Sequence, residues 1–511
     1  MEPQKIGIID MGSNSVRFVI YEVDRHACYK EVQNLKVIAR LSTYINTEGH
    51  MTSEGIEVIL NTLTKFKKVA DKFGIDDVRG VATAAVRNAG NRKEILEAIN
   101  THGAFKIQIL SEQEEAYYGY LAITNSTNYN EGVTIDIGGG STEVTYFKDR
   151  RLVHSFSFPF GALTLKKQFV KNDTPTEAEW KELRAFLREN YASLPWLKEK
   201  NAPVIGIGGS ARNLALVHQN EIDYPLSGLH QYEMTNKDVW AIQNKLASLP
   251  MKKREKVDGL SKDRADIILP AAAAIEELIA HVNTSSFIVS NKGLRDGLFY
   301  EKFLNNIEIT HFPDVTQESI YQLVKTYQDD EEHQRRIAIL SSYFVNELNK
   351  LEETYITNKE LKLLQWSSQL FYLGSAIHPE SQSQHTFYLL TNQSIDGLGH
   401  LDRLSVAFIS SFKSKSQLKQ YIKPFRHWVT EDELNKFELM GAIIKLCYGL
   451  DISQRGIVKK VELSTSGSKS LKVNISYEGD PYFESFHANK YKKHLERSLK
   501  KSITLNFTDS H

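Results

Sequence analysis

Apolar residues along the first three hundred positions recur with two alternating periods. Short runs suited to strands, Ile6 to Ile9, Val16 to Val23, Val78 to Thr83, Val133 to Ile135, Thr142 to Phe147, Pro203 to Ile205 and Phe287 to Ser290, mark one of them. Between them lie stretches whose apolar positions return every three or four residues: Ser53 to Phe73, Arg92 to Ile99, Thr176 to Tyr191, Asn236 to Leu246 and Ala265 to His281. Such alternation predicts α/β lobes with partly parallel sheets. From Thr316 the pattern changes: Ile320, Leu323, Val324, Tyr327, Ile337, Leu340, Tyr343, Phe344 and Leu348 keep helical spacing, which continues to Leu446. After Gly449 strands return at Val458 to Leu463 and Leu471 to Tyr477, followed by a helix from Phe483 to Leu499 and a strand from Ile503 to Phe507. The expected domains are residues 1–125, 126–302, 303–448 and 449–511.

The length agrees with several domains, since 511 residues exceed what one core of about 150 residues accommodates. With 41% hydrophobic and 25% charged residues and 12 prolines, the composition is that of an ordinary globular protein. Lys+Arg and Asp+Glu are balanced at 63 each, so no overall field favours nucleic acid, and any polyanion site must be local. Cys28 and Cys447 are far apart, which speaks against a disulfide framework or a zinc site. No export-like segment opens the sequence and no run of about 18 apolar residues occurs, so the expectation is a cytoplasmic protein without membrane insertion.

An internal repeat organises the first half. Ile9-Asp10-Met11-Gly12-Ser13-Asn14-Ser15 is echoed by Ile135-Asp136-Ile137-Gly138-Gly139-Gly140-Ser141, each between two strand patterns. A dinucleotide or Walker loop would run from its glycines straight into a helix, and these do not. Glycine lets backbone N–H groups converge on an anion, and Ser13, Asn14, Ser15, Ser141 and Thr142 add side-chain donors. Two such loops facing each other would grip a phosphate chain, although either alone could be an ordinary tight turn. A third glycine loop, Gly206-Ile207-Gly208-Gly209-Ser210, precedes a helical stretch from Ala211 and is expected to close the cleft from the second lobe.

Together with Val81-Ala82-Thr83-Ala84-Ala85-Val86-Arg87, Ser111-Glu112-Gln113-Glu114-Glu115-Ala116 and Gly293-Leu294-Arg295-Asp296-Gly297, these loops resemble the exopolyphosphatase and guanosine pentaphosphate phosphohydrolase family of the actin-like superfamily. The resemblance is strong over residues 1–302. It implies two actin-like (ribonuclease H-like) lobes, then a helical domain similar to HD phosphohydrolases and a small α/β domain. It also implies that Glu115 is the catalytic base, that Asp136 and Glu143 serve magnesium or its waters, and that Arg87 contacts phosphate. A stimulating monovalent cation and a homodimer are further family expectations. From the residues themselves, Glu115 is simply an acid in the first turn of a helix capped by Ser111 and Glu114.

The same physics assigns phosphate binding to Gly12, Ser13, Asn14, Ser15, Gly138, Gly139, Gly140, Ser141, Gly208, Gly209 and Ser210, with Arg17 and Arg87 as cationic clamps or else surface ion pairs. Asp10 and Asp136, ending apolar strands, offer hard oxygens to magnesium, and Asp10 equally suits an Asx turn. The expected activity is release of orthophosphate from inorganic polyphosphate. Guanosine pentaphosphate or tetraphosphate is the nearest rival substrate, and a regulator without turnover or a kinase of the same superfamily are the other options. In the helical domain His333 remains, but Phe371-Tyr372 stand where the HD pair is expected, so metal catalysis is not expected there; His378 and His385 read as packing residues. The tail carries Lys459, Lys460, Lys469, Lys472, Lys490, Lys492, Lys493, Arg497, Lys500 and Lys501, either a solvated face or a polyphosphate track.

Overall fold

The computed structural model describes residues 3–328, 331–465 and 469–510. They form two compact units: the first runs to Val315, except that Pro225–Gly228 pack with the second, which begins at Thr316.

The first unit is built on two sheets. In one, β1 (Gln4–Met11), β2 (Ser15–Val23), β3 (Tyr29–Ile38), β4 (Val78–Ala82) and β5 (Ile107–Ile109) lie in the order β3-β2-β1-β4-β5. In the other, β6 (Glu131–Ile137), β7 (Thr142–Lys148), β8 (Arg151–Phe158), β9 (Val204–Ile207), β10 (Tyr232–Thr235) and β11 (Ser286–Val289) lie in the order β10-β11-β9-β6-β7-β8. The repeat extends to pairing: β1 and β6 each have an antiparallel hairpin partner on one side, β2 or β7, and a parallel strand on the other, β4 or β9. The lobes are actin-like α/β layers.

The helices of this unit are α1 (Ser53–Phe73), α2 (Ala84–Arg87), α3 (Arg92–His102), α4 (Glu112–Thr124), α5 (Ala162–Phe169), α6 (Glu177–Ala192), α7 (Gly208–Glu221), α8 (Asn236–Ala247), α9 (Met251–Arg254), α10 (Ile268–Val282) and α11 (Leu294–Asn305). Helix α1 has the limits its periodicity predicts because both ends are chemically marked. The Thr52 hydroxyl accepts from Gly55 N, and Gly74 closes the other end at φ +64°. Two helices tie the sheets together. Helix α4 sends Tyr118 into a cluster with Ile6, Ile8 and Val81 of the first sheet, and Tyr120, Leu121 and Ile123 into another with Phe147, Ile205 and Ile288 of the second. Helix α11 follows the last strand of the second sheet yet packs on the first, where Phe299 stacks on Tyr21 with ring centroids 4.1 Å apart. The two helices meet so closely that a Cβ on Gly297 would lie 2.0 Å from the Tyr118 carbonyl oxygen.

Strands β3, β8 and β10 escape the hydrophobic pattern for a common reason. Each is a sheet edge, and β3 and β8 carry half-exposed mixed sequences, YKEVQNLKVI and RLVHSFSF, in place of an apolar run.

The second unit contains α12 (Val315–Tyr327), α13 (Glu331–Lys350), α14 (Asn358–Gln369), α15 (Gln382–Asn392), α16 (His400–Ser410), α17 (Lys415–Ile422), α18 (Glu431–Leu450) and α19 (Tyr482–Leu499). Helix α18 is buried on all sides from Phe437 to Cys447 and forms the axis of this unit. Strands β12 (Val458–Thr465), β13 (Ser470–Tyr477) and β14 (Ser502–Asp509) make a small sheet in that order, with α19 crossing over between the parallel pair β13 and β14. Phe371 and Tyr372 are buried, and His333 Nδ1 lies 2.8 Å from Asp451 Oδ2, which also accepts from Arg336 Nε at 2.8 Å. Part of the basic tail is paired internally: Lys492 Nζ donates to the Ile503 carbonyl, and Lys501 bonds Glu353. Among the described residues no helix is long and apolar enough to cross a membrane.

Candidate active site

Two short turns shape the cleft of the first unit. In the β1-β2 hairpin Gly12 N donates to Ser15 O at 3.1 Å, and in the β6-β7 hairpin Gly138 N donates to Ser141 O at 3.0 Å. Both turns are tight at their first glycine, where a Cβ would lie 3.3 Å from the Ser15 carbonyl at Gly12 and 3.2 Å from that of Ser141 at Gly138. The turns face each other: a Cβ on Gly139 would lie 3.4 Å from Cβ of Ser13. Helix α5 braces the second turn from behind, with Ala162 N donating to Gly138 O and Leu163 N to Gly139 O.

A cavity of about 510 Å³ lies between them. Its walls include Asp10, Gly12, Ser13, Asn14, Ser15, Glu115, Asp136, Gly138, Gly139, Ser141, Glu143 and Gly209. The remaining sequence candidates stand elsewhere. Gly140 faces a neighbouring apolar cavity of about 180 Å³ that Ile45, Ala84, Ala85 and Leu163 also line. Arg17 lines a separate polar cavity of about 370 Å³ with Arg212, Lys292 and Arg295.

The third glycine loop differs from expectation. Helix α7 begins at Gly208 itself, three residues before Ala211. Gly208 has φ +82°, and a Cβ there would lie 2.3 Å from Asp136 Oδ1. The missing side chain therefore makes room for the aspartate, which sits at the helix N-terminus where the backbone dipole favours negative charge. Ser210 is buried behind the wall, 3.4 Å from Arg264 Nη1. Only Gly209 of this loop reaches the cleft, with the Arg264 guanidinium occupying the space beside it.

Arg264 belongs to the cleft and escaped the sequence reading, as did Arg40 and Lys262, while Thr83 was singled out only as part of the Val81–Arg87 motif. Arg264 lies in a short 3-10 turn, Lys262–Arg264, with no motif around it, and folding alone brings it to Gly209.

Glu115 follows the capping box of α4, in which Ser111 and Glu114 satisfy each other's backbone N–H groups. Arg87, ending α2, donates from Nη1 to Glu115 Oε2 at 2.7 Å and to the Leu110 carbonyl at 3.2 Å. Its Nε and Nη2 are buried without a hydrogen-bond partner, Nη2 lying 4.0 Å from Glu112 Oε1. Burial raises the Glu115 carboxyl to about 7; Arg87 opposes the rise, and Asp136 and Asp10 add to it. Burial likewise raises Asp10 and Asp136, opposed in each case by arginines, Arg295 and Arg17 for the former, Arg212 and Arg264 for the latter. Glu143 is raised most clearly, by burial and by Glu115. Four acids thus crowd one cleft and disfavour one another's charge.

A model of the Ppx/GppA phosphatase family matches residues 19–306, and one of Ppx/GppA phosphatase domain III matches residues 315–486. Exopolyphosphatase 1 of Mycobacterium tuberculosis is 24% identical over 302 residues, 58% of this chain and 88% of that protein. The bifunctional 3-dehydroquinate synthase/phosphatase of Fusobacterium nucleatum is 26% identical over 296 residues, which are 55% of this chain but only 44% of that protein. The crystal structure of the Aquifex aeolicus Ppx/GppA family member superposes with a TM-score of 0.54 at 28% identity, over 60% of this chain and all (100%) of that one. A Cytophaga hutchinsonii exopolyphosphatase structure, at 22% identity and a TM-score of 0.55 over 60% of this chain and 100% of its own, shares the fold.

Proposed function

The chain belongs to the Ppx/GppA phosphatase family, and we propose that it hydrolyses the terminal phosphoanhydride bond of inorganic polyphosphate and releases orthophosphate. One observation carries this reading: the two donor-rich turns face each other at Ser13 and Gly139, and Glu115, held by Arg87, lines the same cleft.

Phosphoryl transfer runs through a loose transition state with charge on the nonbridging oxygens, so positioning and electrostatics do most of the catalysis. The turn amides with Ser13, Ser15 and Ser141 hold the terminal phosphates, and Arg87 offers a phosphate oxygen its Nε and Nη2, which donate no hydrogen bond within the protein. Glu115, ionised, takes the proton of the attacking water. No covalent enzyme intermediate is needed. The cavity at Arg17, Arg212, Lys292 and Arg295, whose four cations outnumber Glu31 and Asp296 in the same wall, suits phosphates farther along the chain.

The acids fit magnesium. Among the described residues no three His, Cys, Asp or Glu side chains gather closely enough to hold a metal ion alone. Magnesium prefers one or two carboxylates with several waters. Asp136 and Glu143, directly paired across β6 and β7, would hold it together with waters, and Asp10 lines the same cleft. When bound, it would supply charge neutralisation for the phosphate oxygens.

The apolar cavity at Ile45, Ala84, Ala85 and Leu163 favours a second reading, since a nucleoside could use such a wall and polyphosphate could not. That reading is guanosine pentaphosphate hydrolysis. The test is phosphate release from long polyphosphate and from guanosine pentaphosphate, side by side, by wild type and Glu115→Gln. Faster release from the nucleotide would replace the first reading, and release from neither would end both.

A further inference from the structure

Glu143 is the least compensated acid of the cleft. It is only 4% exposed, and among the described residues it makes no ion pair, whereas Glu115 has Arg87 at 2.7 Å. What restrains it comes from hydroxyl groups. Strands β6, β7 and β8 align Asp136 with Glu143 and Glu143 with Ser157, so the three side chains emerge in a row on one face of the sheet. Ser157 Oγ donates to Glu143 Oε1 at 3.0 Å, and Ser141, in the turn itself, provides a second hydroxyl.

Ser157 does not line the cleft and has no contact with a substrate lying between the turns. It sits on an edge strand whose other residues alternate between cover and solvent, where many residue types would serve equally. A serine with its hydroxyl turned onto a buried carboxylate is a specific choice there. A carboxylate held at one oxygen by an outer hydroxyl keeps a fixed rotamer, the arrangement by which outer groups orient metal ligands.

We propose that Ser157 is a positioning residue for the divalent-cation site: its hydrogen bond to Oε1 fixes Glu143 so that Oε2 is presented to the cation or to a water in its shell. This rests on the magnesium reading of the cleft given above.

The test uses the full chain and reads cation binding directly. Manganese, as a paramagnetic substitute for magnesium, is titrated into wild type, Ser157→Ala, Ser157→Thr and Glu143→Gln and followed by electron paramagnetic resonance. Loss of an outer hydrogen bond to a metal ligand typically weakens binding by about 10- to 100-fold. Ser157→Ala should therefore bind manganese roughly tenfold more weakly, Ser157→Thr should restore affinity to within about twofold because it keeps the hydroxyl, and Glu143→Gln should lose the site. Wild-type affinity in Ser157→Ala, with Glu143→Gln impaired, would reject the role of Ser157 and leave the cation site standing. Wild-type affinity in Glu143→Gln would remove the cation site and this inference with it. A circular dichroism spectrum and melting curve for each variant establish folding, and should Ser157→Ala fail to fold, comparison of Ser157→Thr with Ser157→Val at equal volume decides in its place.

Discussion

Arg17 stands directly opposite Asp10 across the first hairpin, in the place that Glu143 holds opposite Asp136 in the second. The two turns share a backbone hydrogen bond and a glycine at its start, yet they differ in charge at this one position. Arg17 helps draw Asp10 back toward its ionised form, while Glu143 and Asp136 disfavour each other's ionisation. The duplication thus sets an acid against a base in one lobe and an acid against an acid in the other.

Replacing Arg17 with Gln should therefore weaken substrate binding more than turnover. A hydrogen bond to a charged group contributes about 1.5–3 kcal/mol, so KM for polyphosphate should rise by roughly tenfold or more while kcat stays within about threefold. Steady-state kinetics at two salt concentrations give the answer. Equal KM in the variant and wild type would place the chain elsewhere than the arginine cavity.

Glu115→Gln should separate activity from stability. Loss of a general base costs about 10²- to 10⁴-fold in rate, so phosphate release should fall at least a hundredfold. Stability should move the other way. The folded Glu115 carboxyl is raised to about 7 from its ordinary 4.5, so between those values the folded state binds more protons than the unfolded one, and stability falls as pH rises through the window. The penalty is complete above about 7, and Gln removes it, less what Arg87 loses in its charged partner. A net gain in stability at pH 8 is expected for the variant, measured by urea unfolding of both proteins; at pH 4 the two should be alike.

The same shift governs the rate. Glu115 must be ionised to accept a proton, so kcat/KM for wild type should climb with pH and level off above about 7. Arg87 pulls the carboxyl down, so Arg87→Gln should move this limb to higher pH as well as lowering the plateau. A limb that stays in place while the plateau falls would mean that Arg87 serves the phosphate alone.

The strands that carry the turns were legible because they are central and apolar, and the turns because the motif occurs twice. Position along the chain hid the rest. Glu115 was named only through the family resemblance, since by itself it looked like any acid in a capped first turn, and α4 offers no amphipathic face to reveal it, being buried on nearly every side between two sheets. Arg264 carries no local signal, and its contact with Gly209 follows only from the fold. Ser157 was hidden because edge strand β8 mixes polar and apolar residues, so its register with Glu143 could not be read. For the third glycine loop, spacing suggested an anion cradle. Its first helical glycine in fact accommodates a carboxylate of the protein itself.

That accommodation gives the strictest test of the cleft's construction. Gly208 holds φ +82°, a region that costs an L-residue about 1–2 kcal/mol, and its absent Cβ is the space occupied by Asp136 Oδ1. Gly208→Ala must pay the backbone strain and also push the aspartate away from the helix N-terminus, where it loses a favourable dipole worth about 0.3–1 kcal/mol. Together these should lower stability by roughly 2 kcal/mol and, because Asp136 leaves the line it forms with Glu143, reduce phosphate release far more than Gly140→Ala, whose Cβ would meet nothing within 4 Å. Unfolding curves and initial rates for the two alanine variants, measured together, check both parts. Equal rates in Gly208→Ala and wild type would show that Asp136 has no role in the reaction.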